Sequence, residues 1–413
     1  MTRLPPADQA RFAAVWSELA GVGRDSRRGG FSRHGFDDAE LTLREWFTAQ
    51  AGKRGLSVET DANGNLWAWW GEPGPDAVVT GSHLDSVPGG GAFDGPLGVV
   101  SALLAVDELR TRRFRPRRPL AVACFVEEEG GRFGVPCLGS RLMTGALDPD
   151  AVRRLHDPDG AGLVDAVRRA GLDPARLGPE PDRVAGIGVF VELHVEQGRR
   201  LQAVDPAAPV ALGSGIVAHG RWRLALTGQG NHAGTTAPTD RHDPMIPAAA
   251  AVLAARRALH RHPGAVATVG RMTPVPGGTN VIASAVDVWL DARVDSAQDT
   301  AALVDEIVAD VRAEAELEGC SLTVHRESLS DRVGFDPGLT TTLAQRLGTP
   351  VVPTGAGHDA GVLAAQVPAV MLFVRNPTGV SHAPDEYAET AGCLAGVAAL
   401  TTTLEMLAGP DDS

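Results

Sequence analysis

The sequence predicts an α/β protein in two domains. One is a discontinuous catalytic domain with a mostly parallel central sheet; the other is an inserted two-layer α+β domain. Three observations predict this. Four short apolar runs each end close to His, Asp or Glu, as strands do when an open α/β sheet gathers a site at its carboxyl edge. Residues 214–328, between the third and fourth runs, carry their own succession of strand and helix patterns. The length, 413 residues, exceeds what one hydrophobic core usually organises.

Taken in order, residues 39–53 form an amphipathic helix candidate. Ala77-Val78-Val79-Thr80 is a continuous apolar run that reads as a buried strand, and GSHLDSVPGGGAFDG follows it at 81–95. Gly89, Gly90 and Gly91 permit a sharp turn that brings Asp94 back toward His83 and Asp85. Pro96 opens a helix over 96–113. The second run, 120–126, ends in Glu127-Glu128-Glu129, and residues 152–182 read as helices with loops. The third run, 189–198, alternates and holds His194; the fourth, 369–374, precedes His382. Within 214–328 the expected order is strand (221–227), helix (246–260), strand (265–272), strand (285–295) and helix (300–317). The 285–295 segment puts Val286, Val288, Leu290, Ala292 and Val294 on one face, and Asp287, Trp289, Asp291, Arg293 and Asp295 on the other. His382 must rejoin His83, so the catalytic domain is expected as 1–213 plus 329–413 around the insert, with hinges near 213–215 and 328–330.

Each of these residues alone has an ordinary reading. Three adjacent carboxylates are usually a solvated loop, and a lone strand histidine is usually a hydrogen-bonded core residue. Together they have the chemistry of a metal centre. His83, Asp94, Glu129, His194 and His382 make five ligands, and a bridging Asp94 would supply each of two ions with three protein groups. Two divalent ions held this way acidify a water and polarise a carbonyl. Glu128, beside a ligand but not needed as one, can take the water's proton and pass it to a leaving nitrogen. Asp85 is placed to hold the second ring nitrogen of His83. Mixed His and carboxylate ligands accept zinc or manganese, with cobalt and nickel also compatible.

Composition narrows the partners. The net charge of −13 and a single lysine, Lys53, exclude a phosphate-backbone partner and so nucleic acid. The sequence has no run of 18 apolar residues, so no membrane span is expected, and residues 1–8 lack an apolar leader core. Cys124, Cys137, Cys320 and Cys393 are scattered without a CxxC and read as reduced thiols of a cytoplasmic protein. Cys137 follows EEEGGRFGVP and reads either as a neighbour of the site or, the ordinary reading, as a small buried residue.

The motifs GSHLDSVPGGGAFDG, EEEGGRFG, ELHVEQG, NHAGTTAPTDRHDP, GGTNVIAS, DARVD, GAGHDAG and GVSHAPDE occur in this order across nearly the whole chain. As a set the chain resembles the di-metal amidohydrolases related to aminoacylase-type carboxypeptidases. Within them it is most similar to the group of N-carbamoyl-L-amino-acid hydrolases, N-carbamoyl-β-alanine amidohydrolases and allantoate amidohydrolases. The resemblance implies the five ligands named above and Glu128 as general base. It implies Gln197 and His358 as substrate-contacting residues, His232 as an oxyanion-stabilising residue, and Asn280 with Arg293 as the grip on a substrate carboxylate. Position on the non-core face lets the Arg293 guanidinium reach a ligand and pair a carboxylate bidentately, but fits a surface pair with Asp291 or Asp295 equally well; the resemblance is what favours the grip. The resemblance also implies a homodimer through 214–328 and a small ureido carboxylate as substrate. FGVPCLGSRL and MLFVRNPTGVSH look more like allantoate amidohydrolases than carbamoylases. N-carbamoyl amino acids are the near alternative, and an N-acyl-amino-acid deacylase or metallopeptidase the distant one. A non-catalytic binding protein would have lost a ligand or the base, and none is lost. Gly131, Ser86 and Gly89 depart from the family pattern without touching a ligand. Arg375 reads either as a solvated loop residue or as a substrate selector.

Overall fold

The four apolar runs become the four central strands of a nine-stranded sheet in the computed structural model, which describes residues 6–410. Residues 1–5, most of the stretch read for a leader, and 411–413 lie outside the described residues. Leu120–Phe125, Ala77–His83, Ile187–Val195 and Ala369–Val374 lie side by side in that order, all parallel. Antiparallel pairings flank them: Leu66–Trp70 runs against Leu120–Phe125 and Ser57–Thr60 against Leu66–Trp70 on one side, and Val210–Ile216 runs against Ala369–Val374 on the other. The parallel strands are almost wholly buried, which is why three of them read as unbroken apolar runs; Ile187–Val195, which alternates in sequence, is buried too because its polar residues find partners inside the protein, Glu192 accepting from Ser82 Oγ and the Ala360 N–H. Their shared direction sends every carboxyl end to one edge, and the register sets His83 opposite Phe125, and His194 opposite Phe373.

Helices Pro96–Thr111 and Thr390–Ala408 pack on each other and on this sheet. Their Leu103, Val106, Leu109, Leu400 and Leu404 join Val78, Val122, Val191 and Leu372 in one core. Each such side chain contributes roughly 1.5–3 kcal/mol on burial. Thr390–Ala408 is long and apolar enough to cross a membrane by length and composition, but 61% of its apolar window is buried inside the protein. The 152–182 region folds as short helices, among them Leu163–Arg169 and Pro181–Gly186. Leu163 and Val167 pack with Phe36, Val126, Phe133 and Leu138 in a small second cluster beside the triple-glutamate loop.

The chain divides into two units: Met1–Gly215 with Gly334–Ser413, and Ile216–Val333. The divisions fall at 215/216 and 333/334 rather than 213/214 and 328/329. The reason is that strand Val210–Ile216 runs on in the large sheet, while Ser321–Ser330 stays paired to the insert as far as Ser330 opposite His219. The insert is a four-stranded antiparallel sheet in the order Ser321–Ser330, Ala218–Thr227, Ala285–Val294, Val266–Val275, with helices Met245–Arg261 and Ala297–Leu317 packed on it. In Ala285–Val294, Val286, Val288, Leu290 and Ala292 are buried and Val294 is half-buried. The strand Ser321–Ser330 is absent from the sequence-based order. It sits at the sheet edge with mostly exposed residues, so its apolar positions are too few to announce it.

Candidate metal centre

His83 is the last residue of its strand, and the chain then loops through three glycines to Asp94 and Gly95. Gly95 has φ +81, and a Cβ there would lie 2.5 Å from the His83 ring, so only glycine lets the loop close over the histidine. The Asp94 carboxylate then faces two groups at once. Its Oδ1 lies 3.5 Å from His83 Nε2 and 3.2 Å from His194 Nε2. Its Oδ2 lies 3.4 Å from His382 Nε2, which is itself 3.2 Å from Glu129 Oε2. Ligand atoms of His83, Asp94 and His194 fall within 4.8 Å of one another, as do those of Asp94, Glu129 and His382. The five residues singled out as ligands therefore meet as two trios sharing Asp94.

The histidines are oriented for lone-pair donation. The second ring nitrogen of His194 bonds the Val195 carbonyl at 2.8 Å, which turns Nε2 toward Asp94. His83 Nδ1 lies 3.1 Å from the Asp85 carbonyl and 3.5 Å from its carboxylate. Asp85 thus lies at the second ring nitrogen of His83, as its spacing suggests, and its carboxylate also reaches beyond the histidine. It accepts from the backbone N–H of Glu128 at 3.1 Å and of Glu129 at 3.0 Å, pinning the triple-glutamate loop. Glu127, in the left-handed region at φ +53, accepts from the N–H groups of Arg132, Phe133 and Gly35. The first N–H groups around helix Leu138–Met143 donate back to the carbonyls of Val126, Glu127 and Glu128.

The donor set fits divalent cations. The ion-pair partners of Asp94 and Glu129 are histidines, and His83 Nε2 and Glu129 Oε1 are buried without a hydrogen-bond partner. Burying carboxylates this way costs several kcal/mol each unless cations compensate. Burial, then the Asp94 charge, pushes Glu129 up to about 8 against the pull of His382. Burial, then Asp359 and Glu129, pushes Glu128 well above the carboxylate range against the pull of His83. For Asp94, burial acts upward, but His194, His382 and His83 outweigh it and hold the carboxyl well below the usual range. Asp94 thus stays anionic while its neighbours compete for protons, as suits a carboxylate shared between cations.

Gln197 Nε2 donates to Asp94 Oδ2 at 2.8 Å and lies 3.1 Å from His382 Nε2. His358 is buried with its ring 4.6 Å from that of His194, and burial, then the His194 charge, keeps it neutral. Cys137 meets both of its readings: it is buried, and its Sγ is 3.2 Å from Glu128 Oε1. Arg375 is not a solvated loop residue. It donates to the carbonyls of Asp205 and Ala208 and braces that loop. Glu386, given no role from sequence, accepts from the N–H of Asp94 at 2.9 Å.

In the insert, His232 and Asn280 lie together on a two-stranded ribbon: His232 pairs with Val281, and the Ala233 N–H donates to the Asn280 carbonyl. His232 is exposed and its Nδ1 accepts from the Gly234 N–H. Arg293 is on the four-stranded sheet, opposite His219, and its guanidinium meets Asp291 through Nε at 2.8 Å and Nη2 at 3.2 Å. That is the ordinary partner anticipated for it.

Two candidate metal-binding trios at the carboxyl edge of a parallel sheet, with a buried glutamate beside them, are the arrangement expected of a metal-dependent hydrolase. The chain belongs to peptidase family M20/M25/M40, whose model matches residues 79–406. It is 35% identical over 409 residues to an N-carbamoyl-L-amino acid amidohydrolase of Geobacillus stearothermophilus, covering 95% of this chain and 98% of that one. It is 31% identical over 400 residues to the allantoate amidohydrolase of Escherichia coli K12, covering 94% and 96%. The crystal structure of a hydantoinase/carbamoylase family amidase from Burkholderia ambifaria superposes with a TM-score of 0.85 at 28% identity, over 98% of this chain and 99% of that one.

Proposed function

We propose that this protein hydrolyses the ureido C–N bond of a small carboxylate-bearing substrate, with allantoate as the leading candidate. The observation that carries the reading is the Asp94 carboxylate, which offers one oxygen to His83 and His194 and the other to the His382 side of the site. Two divalent ions, zinc or manganese, would be held by His83, Asp94 and His194 and by Asp94, Glu129 and His382, and would supply carbonyl polarisation and an acidified water. Glu128, buried and bound to no backbone donor through its carboxylate, takes the water's proton and returns it to the leaving nitrogen. Asp85 keeps Glu128 and Glu129 in register through their N–H groups. Gln197 and His358 line the substrate side. His232 stabilises the oxyanion, and Asn280 with Arg293 holds the carboxylate; for Arg293 this requires exchanging Asp291 for substrate. The exposed Ile246, Val252 and Leu253 on helix Met245–Arg261 support a homodimer through the insert.

N-carbamoyl-L-amino acids are the second reading, favoured by the Geobacillus relative. The test is release of ammonia by protein stripped of metal and reloaded with manganese or zinc. Allantoate, N-carbamoyl-L-amino acids, N-carbamoyl-β-alanine and N-acetyl amino acids are offered in parallel, with free amine followed for the last. Preference for allantoate supports the first reading and preference for the carbamoyl amino acids the second. Turnover of the acetylated set alone overturns the ureido assignment.

A further inference from the structure

The loop that carries Asp94 is bonded to the Phe31 segment at Gly89 and Gly90, but those bonds stop at Gly90, short of Asp94. Three consecutive glycines, 89–91, precede it, and glycine backbone has the broadest conformational range. Yet a carboxylate shared between two trios must be held in one orientation, because a small rotation about its backbone would favour one trio over the other. We infer that Glu386 is the positioning residue that fixes Asp94. This inference rests on the metal-centre reading above and deepens it.

Glu386 lies four residues beyond His382 and is 4% exposed. Its Oε1 accepts from two consecutive backbone N–H groups, those of Phe93 and Asp94, each at 2.9 Å. Its Oε2 lies 3.4 Å from Ser381 Oγ, and that hydroxyl lies 3.3 Å from Asp94 Oδ2. Glu386 is tied to its own loop by its N–H, which donates to the Ala383 carbonyl. One side chain therefore locks the backbone on which Asp94 is mounted to the loop that presents His382. Gly91 has to be glycine for this to happen, since a Cβ there would collide with the Glu386 carboxylate. None of these contacts uses a side chain that ligates in the proposed centre except through Ser381, so Glu386 acts on geometry and touches no reacting atom.

The geometry separates two explanations of what Glu386 supplies. If it supplies an acceptor oxygen at a fixed reach, Glu386→Gln keeps it: the amide oxygen can accept both N–H groups and the amide nitrogen can donate to Ser381. Glu386→Asp keeps the charge but withdraws it by one methylene. If Glu386 instead contributes charge, the order of the two variants reverses.

The experiment measures binding of manganese(II) and zinc(II) by competition with a fluorescent chelator, together with amide hydrogen exchange of the peptide spanning 88–96 in metal-free protein. The expected result is that Glu386→Asp weakens the poorer of the two metal affinities roughly tenfold or more, whereas Glu386→Gln stays within about threefold of the parent. Exchange at the Phe93 and Asp94 amides should rise in Glu386→Asp and not in Glu386→Gln. Parent-like exchange and affinity in both variants, or losses in Glu386→Gln with Glu386→Asp intact, would overturn the inference. A parent protein that binds no divalent metal would sink the metal-centre reading instead, and the exchange data would still decide the clasp.

Discussion

At the residue scale, Glu128 is the sharpest point of the proposed chemistry. Its carboxylate is buried beside His83, at 3.7 Å, and beside the Cys137 thiol, and no backbone donor neutralises it. Glu128→Gln keeps the volume and removes the proton shuttle. Turnover should fall about 10²- to 10⁴-fold, with metal content unchanged; steady-state rates alongside elemental analysis check this. Loss of metal together with activity would mean that Glu128 is a ligand. The five candidate ligands were legible as a group because each lies near the end of an apolar strand or in the loop beyond it, and strand ends of a parallel sheet converge. Glu386 was not legible: its partner Asp94 is 292 residues away, and a glutamate in a loop carries no local mark of a contact at that separation. Arg375 was ambiguous for the same reason, since the carbonyls that hold it belong to a turn 167 and 170 residues earlier. Asp85 was legible as a neighbour of the His83 ring from its spacing, but not as an acceptor for the N–H groups of Glu128 and Glu129, which belong to the next strand's loop.

At the scale of elements, the junction between strand Ala77–His83 and helix Pro96–Thr111 concentrates the constraints. Gly95 combines a left-handed φ with a ring packed where a Cβ would sit. Gly95→Ala should therefore displace His83 and reduce metal occupancy, while the apolar face of the following helix stays unchanged. The check is metal stoichiometry and circular dichroism on the same sample; full occupancy would show that the loop adapts. Helix Thr390–Ala408 tests a different element. Leu400 is fully buried in the main core, so Leu400→Ala should cost about 2–5 kcal/mol in urea unfolding, whereas a membrane-facing position would cost far less. Strong periodic elements were legible: the 285–295 alternation and the 300–317 helix appear as Ala285–Val294 and Ala297–Leu317. The edge strand Ser321–Ser330 was not, because an edge strand is held by ladder hydrogen bonds more than by apolar burial, and those leave no trace in the pattern of side chains.

At the scale of the whole molecule, the two units differ in what holds them together. The unit made of Met1–Gly215 and Gly334–Ser413 encloses the buried carboxylates and is the one that binding of a divalent ion would stabilise. Ile216–Val333 has a core of its own, with Trp222, Leu224, Leu226, Val286, Val288, Leu290, Leu303, Ile307 and Val311 buried between its sheet and helices, and its chain is continuous. A ligand that binds only the folded state stabilises it by about 2.7 kcal/mol at a free concentration one hundred times Kd. Calorimetry of the chelator-treated protein should therefore show the transition of the larger unit rising in temperature as manganese or zinc is added, while that of the insert stays put. Residues 216–333 expressed alone should melt cooperatively at a temperature indifferent to the metal. A single transition that moves as one with metal would mean that the units unfold together; an insert that fails to fold alone would mean that its core, unlike that of the larger unit, depends on the rest of the chain.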